Sequence, residues 1–410
     1  MARIFGGSRK PPAAAQAPAP APASAPAQTS AAAQATESAS PAAERTGAER
    51  IAAERIAAER IAAERILAEA AALAARPSLP AKAALRDLVE GAYAALRSEA
   101  PELRPRDSGG EPGGLLRLPS LPTVLLPDLH ARPSLLAEAL AWEGPPDSPF
   151  GAPLAQLLGE GGATLLCLGD LFHTEWEGAP RRWERALREY AGGYASHRWM
   201  DEEMALALSA LRIVLAAKSA FPRNFHFIKG NHDNVSNDEE RGDRPFYKFA
   251  AEGEMVAAWF DLAYGPELRA RLRQVELEYP VLAVGENFVA SHGEPAFPLG
   301  PDDAIEYRRR PDVVYGLIWT PNDGAEEGSV ERSLEALLDG APAGNRGSGS
   351  KGALWFGGHR PVEGRYALRA GGRYVQFHNP GAHQVVLLEP GRDPDPERDI
   401  RPLRAGRAPS

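Results

Sequence analysis

Hydrophobic positions are spread unevenly along the chain. Between Phe5 and Ile51 there is no Val, Ile, Leu, Met or aromatic residue, and residues 11–43 are mostly Ala and Pro. Such a segment cannot bury enough apolar area to offset its ordering entropy, so residues 1–45 are expected to form a disordered tether. Residues 46–78 repeat with a period of five, GAERI, AAERI, AAERI, AAERI, LAEA. Their composition suits a helix, with Arg50–Glu54, Arg55–Glu59 and Arg60–Glu64 at i,i+4 spacing. A five-residue step advances by about 140° on a helix, so Ile51, Ile56, Ile61 and Ile66 spiral around the axis and make no seam. The repeat therefore predicts a solvated spacer helix, with a partner-binding helix as the alternative. Within 79–117, Leu85, Leu88, Val89, Ala92 and Leu96 form one stripe and predict a packing helix at about 81–98, followed by a linker.

From Leu118 the pattern becomes short apolar runs, each ending in a polar cluster. Thr123–Pro127 precedes Asp128, Thr164–Leu168 precedes Gly169 and Asp170, and Phe225–Ile228 precedes Gly230 and Asn231. Later runs are Val281–Val284, Phe288–Ala290, Leu354–Phe356, Tyr374–Phe377 and Val385–Leu388. Helical patterns occupy Arg181–Ala191, Glu202–Lys218, Lys248–Leu262 and Pro266–Val275. Alternation of this kind predicts one layered α/β domain over 118–390, with a flexible loop at Gly340–Gly352 and a loose tail over 391–410.

Composition narrows the function classes. Lys and Arg number 46 against 55 Asp and Glu, a net charge of −9 that argues against a nucleic-acid partner. The single cysteine, Cys167, excludes an intrachain disulfide framework and fits a reducing, cytoplasmic setting. Neither a secretory signal nor a membrane-spanning run is read from the sequence.

The polar clusters carry the candidate chemistry: Asp128-Leu129-His130, Gly169-Asp170, Gly230-Asn231-His232-Asp233, Gly358-His359 and the isolated His292. Open α/β sheets place ligand sites at strand C-terminal ends. Asp and His two residues apart can reach one ion, an Asp can bridge two, and mixed O/N ligation suits Mn, Fe or Zn.

These residues resemble the calcineurin-like metallophosphoesterases, a superfamily that includes the phosphoprotein phosphatases. Its motifs run D-x-H, G-D-x-x-D, G-N-H-D/E, a later His near glycine, and G-H-x-H. The chain has DLH at 128–130, GDLFH at 169–173, GNHD at 230–233, SHGEP at 291–295 and GHRP at 358–361. The resemblance implies an αββα sandwich of two mixed sheets and a pair of divalent ions, with Mn favoured. It implies that Asp128 and His130 bind the first ion, Asp170 bridges, and Asn231, His292 and His359 complete the second. His232 matches the catalytic histidine that protonates the leaving oxygen.

Two departures bear on substrate. His173 stands where G-D-x-x-D ends, as a candidate for a catalytic or orienting role, and no phosphate-binding Arg follows it. Pro361 replaces the second His of G-H-x-H, leaving His378 in HNPG as a candidate substitute. Arg132 and Arg360, close to metal-binding histidines, are candidates to clamp a phosphate, and the tryptophan-bearing insertion after Asp170 is the natural place for a substrate-covering cap. The expected activity is two-metal hydrolysis of a small phosphomonoester or nucleotide. A serine/threonine-type phosphoprotein phosphatase, a nuclease and a non-catalytic scaffold are the alternatives. The tether and AERI helix are candidates to bind an unidentified protein.

Overall fold

The runs read as strands are strands, and nearly all of their residues are buried, alternate ones on opposite faces. In the computed structural model, which describes residues 41–146, 148–339 and 352–403, the strands are β1 (Leu115–Arg117), β2 (Thr123–Leu126), β3 (Thr164–Cys167) and β4 (Phe225–Phe227). They continue as β5 (Leu282–Val284), β6 (Phe288–Ser291), β7 (Leu354–Gly357), β8 (Ala367–Arg369), β9 (Tyr374–Gln376), β10 (Gln384–Leu388) and β11 (Ile400–Pro402). One sheet has the order β11-β10-β2-β3-β4, the other β1-β5-β6-β7-β9-β8, and both mix parallel and antiparallel pairs. Leu125, Leu166 and Val386 of the first sheet meet Ala290, Phe356 and Val375 of the second in one apolar layer. Their neighbours Val124, Leu165 and Val385 instead face helices, as do Val289 and Trp355 on the other sheet. Period-two alternation between two buried faces explains why the runs are apolar throughout. The architecture is the αββα sandwich that the motif resemblance implies.

Helices cover both outer faces. Those of the first sheet include α1 (Pro41–Ala75), α2 (Lys82–Arg97), α3 (Pro133–Leu140), α4 (Leu154–Glu160), α5 (Ala179–Ala191), α6 (Arg198–Ala220), α7 (Glu252–Tyr264) and α8 (Pro266–Glu278). The second sheet is covered by α9 (Pro301–Ile305), α10 (Pro311–Ile318) and α11 (Ser329–Asp339).

The chain divides into two units, Met1–Arg50 and Ile51–Ser410. Of the first, residues 41–50 are described and are helical, so 41–45 do not belong to a disordered tether; the rest of that expectation, and the 340–351 part of the flexible loop, lie outside the described residues. The spacer reading of the AERI helix needs correction. Ala63, Ile66, Ala70 and Leu73 are buried in the core that α2 and α6 share, and Arg212 on α6 pairs with Glu69 at 3.2 Å. The spiralling isoleucines hid a stripe at spacings of three and four that runs from the last full repeat into the alanine- and leucine-rich end of the helix. Ile66→Ala is accordingly expected to cost about 2–5 kcal/mol, whereas Ile61→Ala, at a position 66% exposed, stays within about 0.5 kcal/mol. Urea unfolding of the two variants checks this.

The loose-tail reading of 391–410 is also corrected over 391–403; 404–410 lie outside the described residues. A short helix, α12 (Pro396–Asp399), leads into β11, which pairs antiparallel with β10 through Val386 and Ile400. Ile400 is buried between the sheets, and one such anchor sufficed to hold a segment whose Pro, Arg and Asp content masked it.

Candidate metal centre

Six strands deliver the site. β2, β3 and β4 are mutually parallel and end just before Asp128, Asp170 and Asn231. In the other sheet β6, β7 and β9 are parallel in turn and end just before His292, His359 and His378. All the C-terminal edges therefore face one place, as the sheet-edge argument requires.

The turns leaving these strands are tight. His130, Asp170, His173 and His359 have φ of 42°, 54°, 75° and 64°, in the left-handed region that side chains avoid. Such conformations cost about 1–3 kcal/mol each and persist only where surrounding bonds enforce them. Asp233 supplies that enforcement: its carboxylate accepts from the N–H groups of Asp170 (3.0 Å), Leu171 (2.9 Å) and Gly230 (2.7 Å), tying two loops together. Gly358 and Gly230 pass so close to the Asp128 and Asp170 carboxylates that a Cβ at either would collide with them.

Two histidines have their tautomers fixed by the backbone. His130 Nδ1–H donates to the carbonyl of His173 at 2.9 Å, and His292 Nδ1–H to that of Leu168 at 2.8 Å. Burial pulls both well below the usual histidine pKa, His292 to about 4, so each ring is neutral and presents an unprotonated Nε2. Each Nε2 lies 3.4 Å from Asp170 Oδ2. Lone pairs thus confront a carboxylate, an arrangement that a cation resolves. The spacing suits one: donors about 2.1 Å from an ion at tetrahedral angles are about 3.4 Å apart.

The donors form two sets that share Asp170. Asp128 Oδ2 lies 3.8 Å from both His130 Nε2 and His378 Nδ1. Across Asp170, Asn231 Oδ1 is 2.9 Å from His292 Nε2 and 3.0 Å from His359 Nδ1. Asp128 Oδ1, His359 Nε2 and His378 Nδ1 are buried and have no hydrogen-bond partner among the described residues. Burial, with the Asp170 charge second, raises the Asp128 pKa well above the carboxylate range, and burial raises Asp170 to about 8. Two buried carboxylates ringed by neutral imidazoles fit a pair of divalent ions of the first-row type.

His232 sits beside the first set, its ring centroid 5.2 Å from His130 and 4.8 Å from His173, its backbone N–H on Asp170 Oδ1 at 2.8 Å and its Nδ1 without a partner. His173 is stacked between Trp183 and Phe249, at 5.4 Å from each. Aromatic rings cover both histidines. Trp183, from the insertion, supports His173 from within, whereas Phe246 packs on His232 at 4.7 Å and Phe249 on His173. Both phenylalanines precede α7. The helix predicted from Lys248 begins only at Glu252, because the Glu252 carboxylate takes the N–H groups of Lys248, Phe249 and Ala250.

Arg132 is a correction. Its Nε bonds the carbonyl of Leu129 at 3.1 Å and its Nη2 that of Asp128 at 2.6 Å, while Nη1 takes those of Asn379, Pro380 and Ala382. A guanidinium so occupied clamps the His378 loop against the Asp128 loop and cannot also clamp a phosphate. Arg360 is exposed beside His359. Glu175 went unassigned in the sequence, where no motif marks it. Its carboxylate lies 3.6 Å from His130 Nε2 and 3.4 Å from His378 Nε2, and Lys248 Nζ bonds it at 2.6 Å. Only the convergence of three loops reveals it.

The chain matches no protein-family model and no curated protein. Solved structures similar to it include a protein serine/threonine phosphatase from Saccharomyces cerevisiae with similarity to human phosphatase PP5. That alignment has 15% identity, covers 81% of this chain and 92% of the other, and gives a TM-score of 0.45. A cold-active protein tyrosine phosphatase aligns at 14% identity over 67% and 75% of the two chains with a TM-score of 0.37. The cold-active protein-tyrosine phosphatase of the psychrophile Shewanella SP. does so at 12% over 70% and 82%, with a TM-score of 0.33. Alignments this distant say nothing of activity.

Proposed function

We propose that this chain is a two-metal-dependent phosphoesterase that hydrolyses a small phosphomonoester or nucleotide. One observation carries the reading: the Asp170 carboxylate lies at equal distance from two neutral histidines, His130 grouped with Asp128 and His378, and His292 grouped with Asn231. Asp128, His130 and His378 would hold one divalent ion, and Asn231, His292 and His359 the other, with Asp170 reaching both. Bound ions supply positive charge to phosphoryl oxygens and lower the pKa of water.

The chain's own groups do the rest. The backbone carbonyls of His173 and Leu168 fix the two histidine rings before any ligand arrives. His232 offers a ring N–H to the leaving oxygen. Burial, followed by His173 and His130, holds its pKa well below the ordinary value, so the proton it delivers is held weakly and is taken up beside the phosphate's negative charge. Phe246 and Phe249 exclude water from the two catalytic histidines, which are 7% and 1% exposed. A covered site of this kind supports a small substrate over a folded phosphoprotein.

Metal analysis of the purified protein, with a screen of phosphomonoesters, phosphodiesters and nucleotides in added Mn, tests the reading. About two ions per chain and metal-dependent hydrolysis of monoesters are expected. Undiminished hydrolysis by metal-stripped protein would overturn it, and turnover of phosphodiesters alone would favour a nuclease. Removing His378 should empty one site selectively. His378→Ala is expected to weaken one of the two ions by at least about 10–100-fold, the range lost with even an outer partner of a ligand, while the other ion is retained. Calorimetric titration with Mn reads both sites.

A further inference from the structure

Resting on that phosphoesterase reading, we propose that Lys248 is the side chain that recognises the substrate's phosphoryl group. A site for a dianion needs a mobile cation near the ions, and of the arginines of this region Arg132 and Arg182 are already engaged, while Arg360 stands at the second donor set rather than the first. Arg132 is saturated by five backbone carbonyls. Arg182 is held by Glu203 at 2.9 Å and Thr174 Oγ1 at 3.1 Å, with its guanidinium over the Trp176 ring. Arg360 lies beside His359, on the exposed side of the second donor set.

Lys248 differs from Arg132 and Arg182, and unlike Arg360 it stands at the first donor set. Its side chain is 37% exposed, and among the described residues its ammonium has one polar partner, Glu175, at 2.6 Å. That leaves two N–H donors for a ligand. The carboxylate it touches is itself 3.6 Å from His130 Nε2, so the ammonium stands two short contacts from the first donor set.

The backbone that carries Lys248 is held in place from both ends. Before it, Phe246 packs on His232, and Asp243 is gripped by Lys229 at 3.1 Å and Arg273 at 2.7 Å. After it, Phe249 stacks on His173, and Glu252 binds the backbone N–H groups of residues 248–250. A rigid backbone with one partly exposed, flexible ammonium is the arrangement that lets a lysine exchange a carboxylate partner for phosphate oxygens without moving the loop.

The test uses the full-length, Mn-loaded chain and inorganic phosphate as probe, with binding by calorimetry, metal content by elemental analysis and monoester kinetics on the same samples. A charge-assisted hydrogen bond lost without other change gives about 10–100-fold. Lys248→Ala should therefore raise the phosphate Kd and the monoester KM by that factor, with kcat and metal content nearly unchanged, and Lys248→Arg should restore most of the affinity. Phosphate affinity in Lys248→Ala equal to that of the parent would overturn the inference. So would a parallel fall in metal content, which would make Lys248 a support for Glu175. A parent protein that holds two ions yet binds no phosphate would overturn the phosphoesterase reading itself, and this inference with it.

Discussion

Asp170→Asn is expected to abolish metal-dependent hydrolysis, a loss of more than about 10³-fold, while leaving the fold intact. The side chain is isosteric, and its Oδ1 can still accept the His232 N–H. What disappears is the charge at Oδ2, the atom 3.4 Å from both His130 and His292. An amide NH2 turned toward those two rings satisfies their lone pairs and leaves no shared anion for two cations. Without the ions, the lowering of water's pKa and the positive charge that such metals would supply are both lost, which is ample to account for such a loss.

Stability separates this effect from unfolding. Burial raises the Asp170 pKa to about 8, so its charged form is costly in the metal-free chain and the neutral amide should match or raise the metal-free midpoint. Saturating metal stabilises the parent by RT ln(1 + [L]/Kd), about 2.7 kcal/mol at a hundredfold excess over Kd, and should do little for the variant. Thermal melts with and without Mn read both. A variant that is as metal-stabilised and as active as the parent would end the two-ion assignment.

His232→Ala should show its effect through the leaving group. An alkyl phosphate departs as a strongly basic alkoxide, so a positioned N–H donor contributes about 10²–10⁴-fold, whereas p-nitrophenolate gains little from one. The variant is expected to lose that factor on the alkyl ester, far less on p-nitrophenyl phosphate, and almost none of its metal. Equal losses on both esters would make His232 a phosphate-positioning group. A fall in metal content would make it a ligand. His173→Ala should repeat the pattern at smaller amplitude, because the His173 ring is wedged between Trp183 and Phe249 against His232 and acts by holding it.

Much of this was legible in one dimension because it rests on local rules. The β2, β3 and β10 runs are apolar throughout because each side of those strands is covered, and that pattern marks strands without any partner being known. Asp128, His130, Asp170, Asn231, His292 and His359 each follow a strand, so parallel pairing alone brings them to one edge. What failed locally failed for a nameable reason. A five-residue repeat concealed the Ala63, Ile66, Ala70, Leu73 stripe, because helical burial depends on which neighbour is present. The tail reading missed β11 because one buried isoleucine paired to β10 outweighs a loop-like composition.

The sequence by itself determined the strands that carry the site, the longer helices on the first sheet and the donor types at the strand ends, since these follow from side-chain periodicity and from the chemistry of Asp, Asn and His; the short edge strands β1, β8 and β11 and the helices over the second sheet were not read from it. Tertiary structure alone decided the roles of residues whose partners are distant in the chain. Arg132, one helix start from His130, turned out to be consumed by carbonyls some 250 positions away, at Asn379, Pro380 and Ala382. His378, in the sequence only a candidate substitute ligand within HNPG, came to face Asp128, and Glu175 and Lys248 met across 73 positions at 2.6 Å. A guanidinium, a carboxylate and an ammonium carry no record of their counter-charge in the sequence, because the interactions that fix them act through space at about 3–4 Å and are set by which loops the two sheets bring together.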